Sequence, residues 1–278
     1  MGGTFTDIIL RGSSGALHTL KISSTEDDFS RAIASGVARL LKTASVPAET
    51  VATNAILTRK GARTGLVTTK GFRDVLEIGR LRMPRLYDLR WQKPEALAGR
   101  RCRVEVEERV GSLGEVVTPL DEESVRRAAR RLRAEGVESI AVCLINSYAN
   151  AAHERRVAEI LETMSACPDV SLSCDVLPEI REYERTSTTV INAYIKPVVK
   201  RYLDGLLRKL ADMGIRASLL VMQSGGGVMA ARSAAQRPIH IIESGPAAGV
   251  MAAQVLGAET GYKNLLTFDM GGTTAKAS

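Results

Sequence analysis

The chain has 278 residues, 45% apolar, 25% charged and only 4% aromatic, which is enough for one large or two medium globular domains around an aliphatic core. Lys and Arg exceed Asp and Glu by 38 to 31, but the arginines interleave with acids, as in 124–135, so the +7 describes a solvated helix face rather than a nucleic-acid surface. The 4 cysteines form no CxxC pair and the 3 histidines stand at no ligand spacing, which excludes a structural zinc site. Free thiols are expected, although the Cys167 to Cys174 spacing also permits a small disulfide. With no basic-then-apolar leader and no apolar run of membrane-spanning length, the expectation is a cytoplasmic protein that makes no membrane contact.

Taken in chain order, 1–10 reads as a glycine-rich turn feeding an apolar strand, and 17–22 as its hairpin partner. Ser24-Thr25 and the acids after them open a helix over 29–42. A helical piece at 53–57 stops at 60–62, and 64–69 is a buried strand. A turn and short helix follow over 71–78, then an irregular arm over 81–101 and an alternating strand over 103–110. The pattern predicts a strong helix over 121–136, a continuous apolar strand over 139–145, a helix over 152–164 and a strand over 170–176. That alternation argues α/β with a parallel sheet. The longest helical region, 180–214, contains Pro197, which predicts a break or kink. Strands are expected at 218–222 and 239–242, then a helix over 246–256 and a final strand running into Gly271-Gly272.

Glycine-rich motifs punctuate these elements. In Phe268-Asp269-Met270-Gly271-Gly272-Thr273-Thr274 an apolar strand delivers a carboxylate and then two glycines. Glycine lets backbone approach a phosphate, and backbone N–H groups and Thr hydroxyls can donate to it. Asp269 is the candidate Mg2+ ligand. The alternative is an ordinary Gly-Gly hairpin turn. Gly2-Gly3-Thr4-Phe5-Thr6-Asp7 echoes this motif, as expected of two related halves clasping a nucleotide. Asp7 then serves a metal or catalytic water, or merely caps the turn. Gln223-Ser224-Gly225-Gly226-Gly227 follows a strand, and Ser244-Gly245-Pro246-Ala247-Ala248-Gly249 opens a helix whose N-terminus suits an anion. Arg59 to Gly65 concentrates positive charge that either grips a substrate carboxylate or forms a solvated turn. In the charged cluster Glu179, Arg181, Glu182, Glu184 and Arg185, surface ion pairing is expected, the alternative being that one acid or Arg faces a cleft.

These motifs, together with Val51-Ala52-Thr53-Asn54-Ala55, Thr69-Lys70-Gly71-Phe72-Arg73-Asp74, Ser147-Tyr148-Ala149-Asn150 with His153-Glu154, 179–192 and Met222-Gln223-Ser224, run the length of the chain. In that order they resemble the hydantoinase A / 5-oxoprolinase family, which includes acetone carboxylase subunits. The resemblance implies an α/β, actin-like ATPase (ribonuclease H-like) fold with mixed sheets and flanking helices. It also implies an N-terminal domain over 1–178 and the start of the hydantoinase A domain over 179–278. The implied activity is ATP-dependent ring opening of a cyclic amide such as 5-oxoproline or a hydantoin, with ATP phosphorylating the amide oxygen. A hydantoinase B-type subunit is the implied partner and ATP with Mg2+ the cofactors. Gly271, Gly272, Thr273, Thr274 and Gly245 would bind phosphate, with Gly2, Gly3 and Thr4 as the opposing turn. Asp7 and Asp269 would be catalytic, and Asp269 would also assist the metal.

Against the family pattern, the strand before Gly2 and a His-Gly-Thr-Thr turn before Val51 are missing, and the chain stops just past its second phosphate motif. The fold is therefore expected to be incomplete. A truncated, inactive relative, an acetone carboxylase-type subunit, a kinase-like relative and an anion-binding module stand as the alternatives.

Overall fold

The computed structural model describes residues 5–11, 17–23, 55–56, 59–80, 87–88, 90–164, 169–270 and 275–278. The chain divides into two compact units, Gly61–Pro197 and Met1–Lys60 with Val198–Ser278.

In the unit Gly61–Pro197, the strand at Thr64–Thr69 is followed by a one-turn helix, α1 (Val75–Ile78). Next come strands at Arg103–Val106, Arg109–Val110 and Val116–Thr118, and helix α2 (Glu122–Ala134). A strand at Ser139–Cys143, helix α3 (Ala152–Thr163), a strand at Asp169–Leu172, the one-turn α4 (Ser173–Val176) and the start of α5 (Glu182–Asp212) complete it. With the hairpin strands β1 (Phe5–Arg11) and β2 (Leu17–Ser23) of the other unit counted first, these strands are β3 to β8 in the order given.

Strands β4, β3, β7 and β8 form one parallel sheet in that order. Every residue of β3 and β7 is buried, as expected of central parallel strands covered on both faces. The period of two then sorts the side chains. Val67, Ile140 and Val142 pack with Val125, Leu132, Val157 and Ile160 of α2 and α3. Leu66, Ala141 and Cys143 pack with Leu76, Val190 and Ala193 on the opposite face. The sheet is thus the middle layer between helices. Helix α2 starts where the Asp121 side chain accepts from Glu123 N–H at 3.0 Å, with acids in its first turn and arginines in its last.

The other unit holds the antiparallel hairpin β1–β2, whose register sets Asp7 opposite Lys21. After α5 come a second hairpin, β9 (Leu220–Met222) with β10 (Val228–Ala230), then helix α6 (Ala231–Gln236). A 3-10 turn at Pro238–Ile241, helix α7 (Ser244–Thr260) and a third hairpin, β11 (Phe268–Met270) with β12 (Ala275–Ala277), follow.

Four sequence expectations change. The strand expected at 239–242 is the 3-10 turn, because Pro238 at its start offers no ladder N–H. The strand expected over 170–176 ends at Leu172 and becomes α4, where Ser173 and Cys174 bend to reach Glu154. The strand expected over 103–110 is two, β4 and β5. Pro197 does not end α5, which runs unbroken through it. Buried Ala193 and Ile195 before it and Val199 and Leu203 after it hold the helix where the missing N–H would let it break. The predicted helix over 29–42 lies outside the described residues.

Candidate functional site

Three glycine-rich segments of the unit containing Val198–Ser278 are tied together by named bonds. The first is the turn of the β9–β10 hairpin. Gln223 N–H donates to the Gly227 carbonyl at 2.7 Å, and Gly226 N–H to that of Gln223 at 3.0 Å. Gly226 has φ +85°, and a Cβ there would press on Met251 of α7 at 3.1 Å, so glycine is needed twice over. Ser224 pins this turn to the segment before α7. Its N–H and its hydroxyl both reach the His240 carbonyl, at 2.7 and 2.9 Å, and the hydroxyl also meets the carbonyl of Ile242. Burial and then the Arg237 charge hold the His240 imidazole below its ordinary pKa.

The second segment is the start of α7. Glu243 adopts φ +62°, a left-handed conformation rare for a side-chain-bearing residue, and turns the chain into the helix. The first-turn N–H groups then have no partner within the helix. The third segment is the β11–β12 hairpin, and its Lys276 ion-pairs with Glu243. Asp269 lies opposite Lys276 in the ladder, exposed and with no side-chain partner among the described residues.

Of the residues singled out in the sequence, Gly245 is the second residue of α7, and Asp269 is the middle residue of β11. Asp7 is within β1, and nothing further is described of its side chain. Gly2, Gly3 and Thr4, and likewise Gly271, Gly272, Thr273 and Thr274, lie outside the described residues; the latter four connect β11 to β12. A phosphate suits a helix N-terminus, and here that of α7 adjoins a pinned glycine turn and the paired strands β11 and β12. Mg2+ is commonly held by one or two carboxylates with phosphate and water oxygens. Asp269 supplies one such carboxylate, and no group of three acidic or metal-ligating side chains is found among the described residues.

Sequence reasoning missed a buried polar network in the unit Gly61–Pro197. Arg185, expected to pair at the surface, is fully buried. Its guanidinium donates to the Leu144 carbonyl at 2.8 Å and that of Glu179 at 3.2 Å, and lies over the Tyr148 ring. Glu154, also fully buried, accepts from Leu144 N–H at 2.8 Å, the Ser173 hydroxyl at 2.6 Å and Cys174 N–H at 2.9 Å. Glu108 joins the His153 Nδ1 at 2.8 Å to the Thr69 hydroxyl, which in turn accepts from Ile145 N–H at 2.9 Å. Cys143 lies beside Arg185 and Thr186, and burial pushes its thiol pKa up against the Arg185 charge. Cys102, Cys143 and Cys174 are free thiols. The one signal available was the mixture of Ser, Thr and charged residues at helical spacing in 182–196, which reads as surface on charge alone. Arg80 with Glu184 is the ion pair of that cluster that does sit at the surface.

The architecture is mixed α/β with a parallel sheet in one unit and three connected glycine-rich segments in the other. Residues 1–165 match the hydantoinase/oxoprolinase N-terminal region, and residues 185–278 match hydantoinase/oxoprolinase. The chain therefore belongs to the hydantoinase/oxoprolinase family. It is 40% identical over its whole length to an uncharacterized protein of Methanocaldococcus jannaschii, spanning 42% of it. It is 34% identical to caprolactamase subunit alpha of Pseudomonas jessenii over 98% of this chain and 41% of that protein. With 5-oxoprolinase 1 of Arabidopsis thaliana the identity is 35% over all of this chain and 25% of the relative. Among solved structures, nucleotide-free acetone carboxylase superposes with a TM-score of 0.85 at 30% identity, covering 100% of this chain and 42% of that one. ATP-dependent caprolactamase from Pseudomonas jessenii gives 0.83 at 32%, covering 99% and 42%. The chain thus spans between a quarter and about two fifths of these relatives. Among the described residues, no helix is long and apolar enough to cross a membrane.

Proposed function

We propose that this chain supplies the nucleotide-phosphate-binding part of a cytoplasmic, ATP-dependent enzyme that opens a cyclic amide, on an actin-like ATPase fold. One observation carries the reading. Ser224 and the Lys276–Glu243 ion pair draw the turn at 223–227, the start of α7 and the β11–β12 hairpin into one place. Caprolactamase and 5-oxoprolinase among the relatives support the cyclic amide as substrate. In this proposal Gly245, Gly271, Gly272, Thr273 and Thr274 cradle phosphate, with Gly2, Gly3, Thr4 and Asp7 as the opposing turn. Asp269 holds Mg2+. The domains divide at 178/179. Bound ATP supplies the phosphoryl group that activates the amide oxygen. The protein's part is to orient the phosphates with fixed N–H dipoles. Relatives named as alpha, beta and gamma subunits support a partner chain, for which a hydantoinase B-type subunit is proposed.

A thermal melt with and without Mg-ATP tests the cradle. Saturating ATP at about 100 times its Kd stabilises a native state by about 2.7 kcal/mol. Asp269→Asn should leave the ligand-free transition unmoved, since Asp269 has no side-chain partner among the described residues, and should remove the Mg2+-dependent part of the rise. No rise in the wild-type chain refutes the cradle. A rise that Asp269→Asn leaves unchanged moves the metal elsewhere. The likeness to acetone carboxylase favours a second reading, a carboxylase subunit. With the partner subunit present, ADP release triggered by a lactam supports the first reading, and release triggered by a ketone with bicarbonate supports the second.

A further inference from the structure

A separate cleft opens beside the edge strand β4, in the unit Gly61–Pro197. Its volume is about 310 Å³, and its walls are the turn after β3, β4 itself and one face of α2. Five cations line it, Lys70, Arg73, Arg103, Arg127 and Arg131, against the carboxylates of Glu105 and Glu107. Both carboxylates are already engaged. Glu105 accepts from Gly71 N–H at 2.7 Å, and Glu107 from Lys70 at 3.1 Å. Arg127 pairs with Asp121 at 3.2 Å.

The other three arginines retain unused donors. Arg103 is only 2% exposed. It donates Nε to the Ala98 carbonyl at 2.9 Å and Nη1 to Glu77 at 3.0 Å, and its Nη2 has no partner among the described residues. Arg73 donates Nη2 to the Arg100 carbonyl at 3.2 Å, while its Nε is buried without a partner among the described residues. Arg131 makes no side-chain hydrogen bond or ion pair among the described residues. A shielded guanidinium with idle N–H groups is unfavourable, and a planar oxyanion is the group whose geometry meets its fork. A cleft of this volume lies at the small end of small-molecule sites, roughly 300–1,000 Å³.

We infer that this cleft binds a small molecule bearing oxyanion groups, phosphate or clustered carboxylates, through Arg73, Arg103 and Arg131. The cleft shares no residue with the glycine-rich segments and does not rest on the ATP reading.

Titration calorimetry of the whole chain with pyrophosphate and with citrate tests it, using wild type, Arg131→Glu and Arg133→Glu. Arg131 and Arg133 are both exposed on α2, and only Arg131 lines the cleft, so the two variants change net charge equally. Saturable binding of one probe should weaken about tenfold or more in Arg131→Glu and less than about twofold in Arg133→Glu. Arg73→Gln, away from α2, should weaken the same binding. Pyrophosphate bound at the glycine-rich segments survives Arg131→Glu and is recognised by that survival. Pyrophosphate alone responding identifies a phosphate ligand, and citrate alone a polycarboxylate. Absence of Arg131-dependent binding of either probe, or equal loss in the two Glu variants, overturns the inference.

Discussion

Replacing Glu154 with glutamine keeps the volume of a fully buried side chain and removes one acceptor oxygen. The carboxylate accepts three bonds, two at one oxygen from Leu144 N–H and Ser173 Oγ, and one at the other from Cys174 N–H. The glutamine amide has one oxygen and one NH2, so either orientation sets a donor against a backbone donor. Facing the NH2 toward half-buried Cys174 costs less, because water reaches that side. A buried unsatisfied N–H costs about 1–3 kcal/mol, and the remaining bonds fall from about 1.5–3 kcal/mol each toward the neutral value of about 1. The expected loss is therefore about 3 kcal/mol, a large share of a typical stability of about 5–15 kcal/mol. In melting temperature that is about 6–12 °C for a domain nearing 150 residues. Urea unfolding followed by the fluorescence of Trp91, the chain's 1 tryptophan and a residue of the same unit, measures it. Glu159→Gln, an exposed side chain on the same helix, is the control, expected to change stability by less than about 0.5 kcal/mol. A loss below about 1 kcal/mol at unchanged denaturant slope would refute the argument that the three bonds accepted by Glu154 organise this core.

Gly61→Ala should destabilise the chain by about 1–3 kcal/mol, since the new Cβ would stand 2.1 Å from the Tyr194 ring and the ring cannot withdraw while Ala62 N–H bonds the Tyr194 carbonyl. An unchanged urea midpoint would mean that α5 shifts to admit the methyl. The second expectation concerns pH. Hydrogen bonds from Arg156 and then Arg126 hold the half-buried Glu122 carboxyl below the usual carboxylate range. A depressed carboxylate stabilises the fold fully above its unfolded pKa and stops doing so as pH falls through its folded one. The stability gap between wild type and Arg156→Gln should thus be open near about pH 7 and narrow as pH falls below the usual carboxylate range, and a gap independent of pH would remove the ion pair from the account.

The layers were legible because their physics is local. Buried parallel strands read as continuous apolar runs, and 64–69 and 139–145 gave β3 and β7 nearly residue for residue. Helix α2, expected over 121–136, spans Glu122–Ala134, with Asp121 as its cap. Pro238 was a local signal against the strand at 239–242, but at Pro197 and at 173–176 contacts beyond the local pattern outweighed the local preference. Packing on both sides of Pro197 kept α5 whole. The turn at 173–176 exists because Glu154, about 20 residues earlier, draws Ser173 and Cys174 inward, and no local pattern encodes that. In the candidate site, the glycine motifs were visible as motifs. What tied them together was not, because Ser224 acts on backbone carbonyls 16 and 18 residues away.

The buried network also bears on where chemistry can sit. In open α/β sheets, ligands gather at the carboxyl ends of parallel strands. In the unit Gly61–Pro197 that position at β7 is already filled by the protein itself. Glu154 holds the Leu144 N–H, Arg185 holds the Leu144 carbonyl, and Leu144, Glu154, Arg185 and Ser173 are all buried. Two opposite charges are thus placed on the two polar groups of one peptide residue, which satisfies each without direct pairing. The motif blocks 147–154 and 179–192, which carried much of the family resemblance, meet here, and their work is to fix the end of the central strand. A residue set can mark a family because the fold needs it. With this strand end closed, the proposal that phosphate is met in the glycine-rich unit rests on the start of α7 and on Asp269, whose carboxylate has no side-chain partner among the described residues.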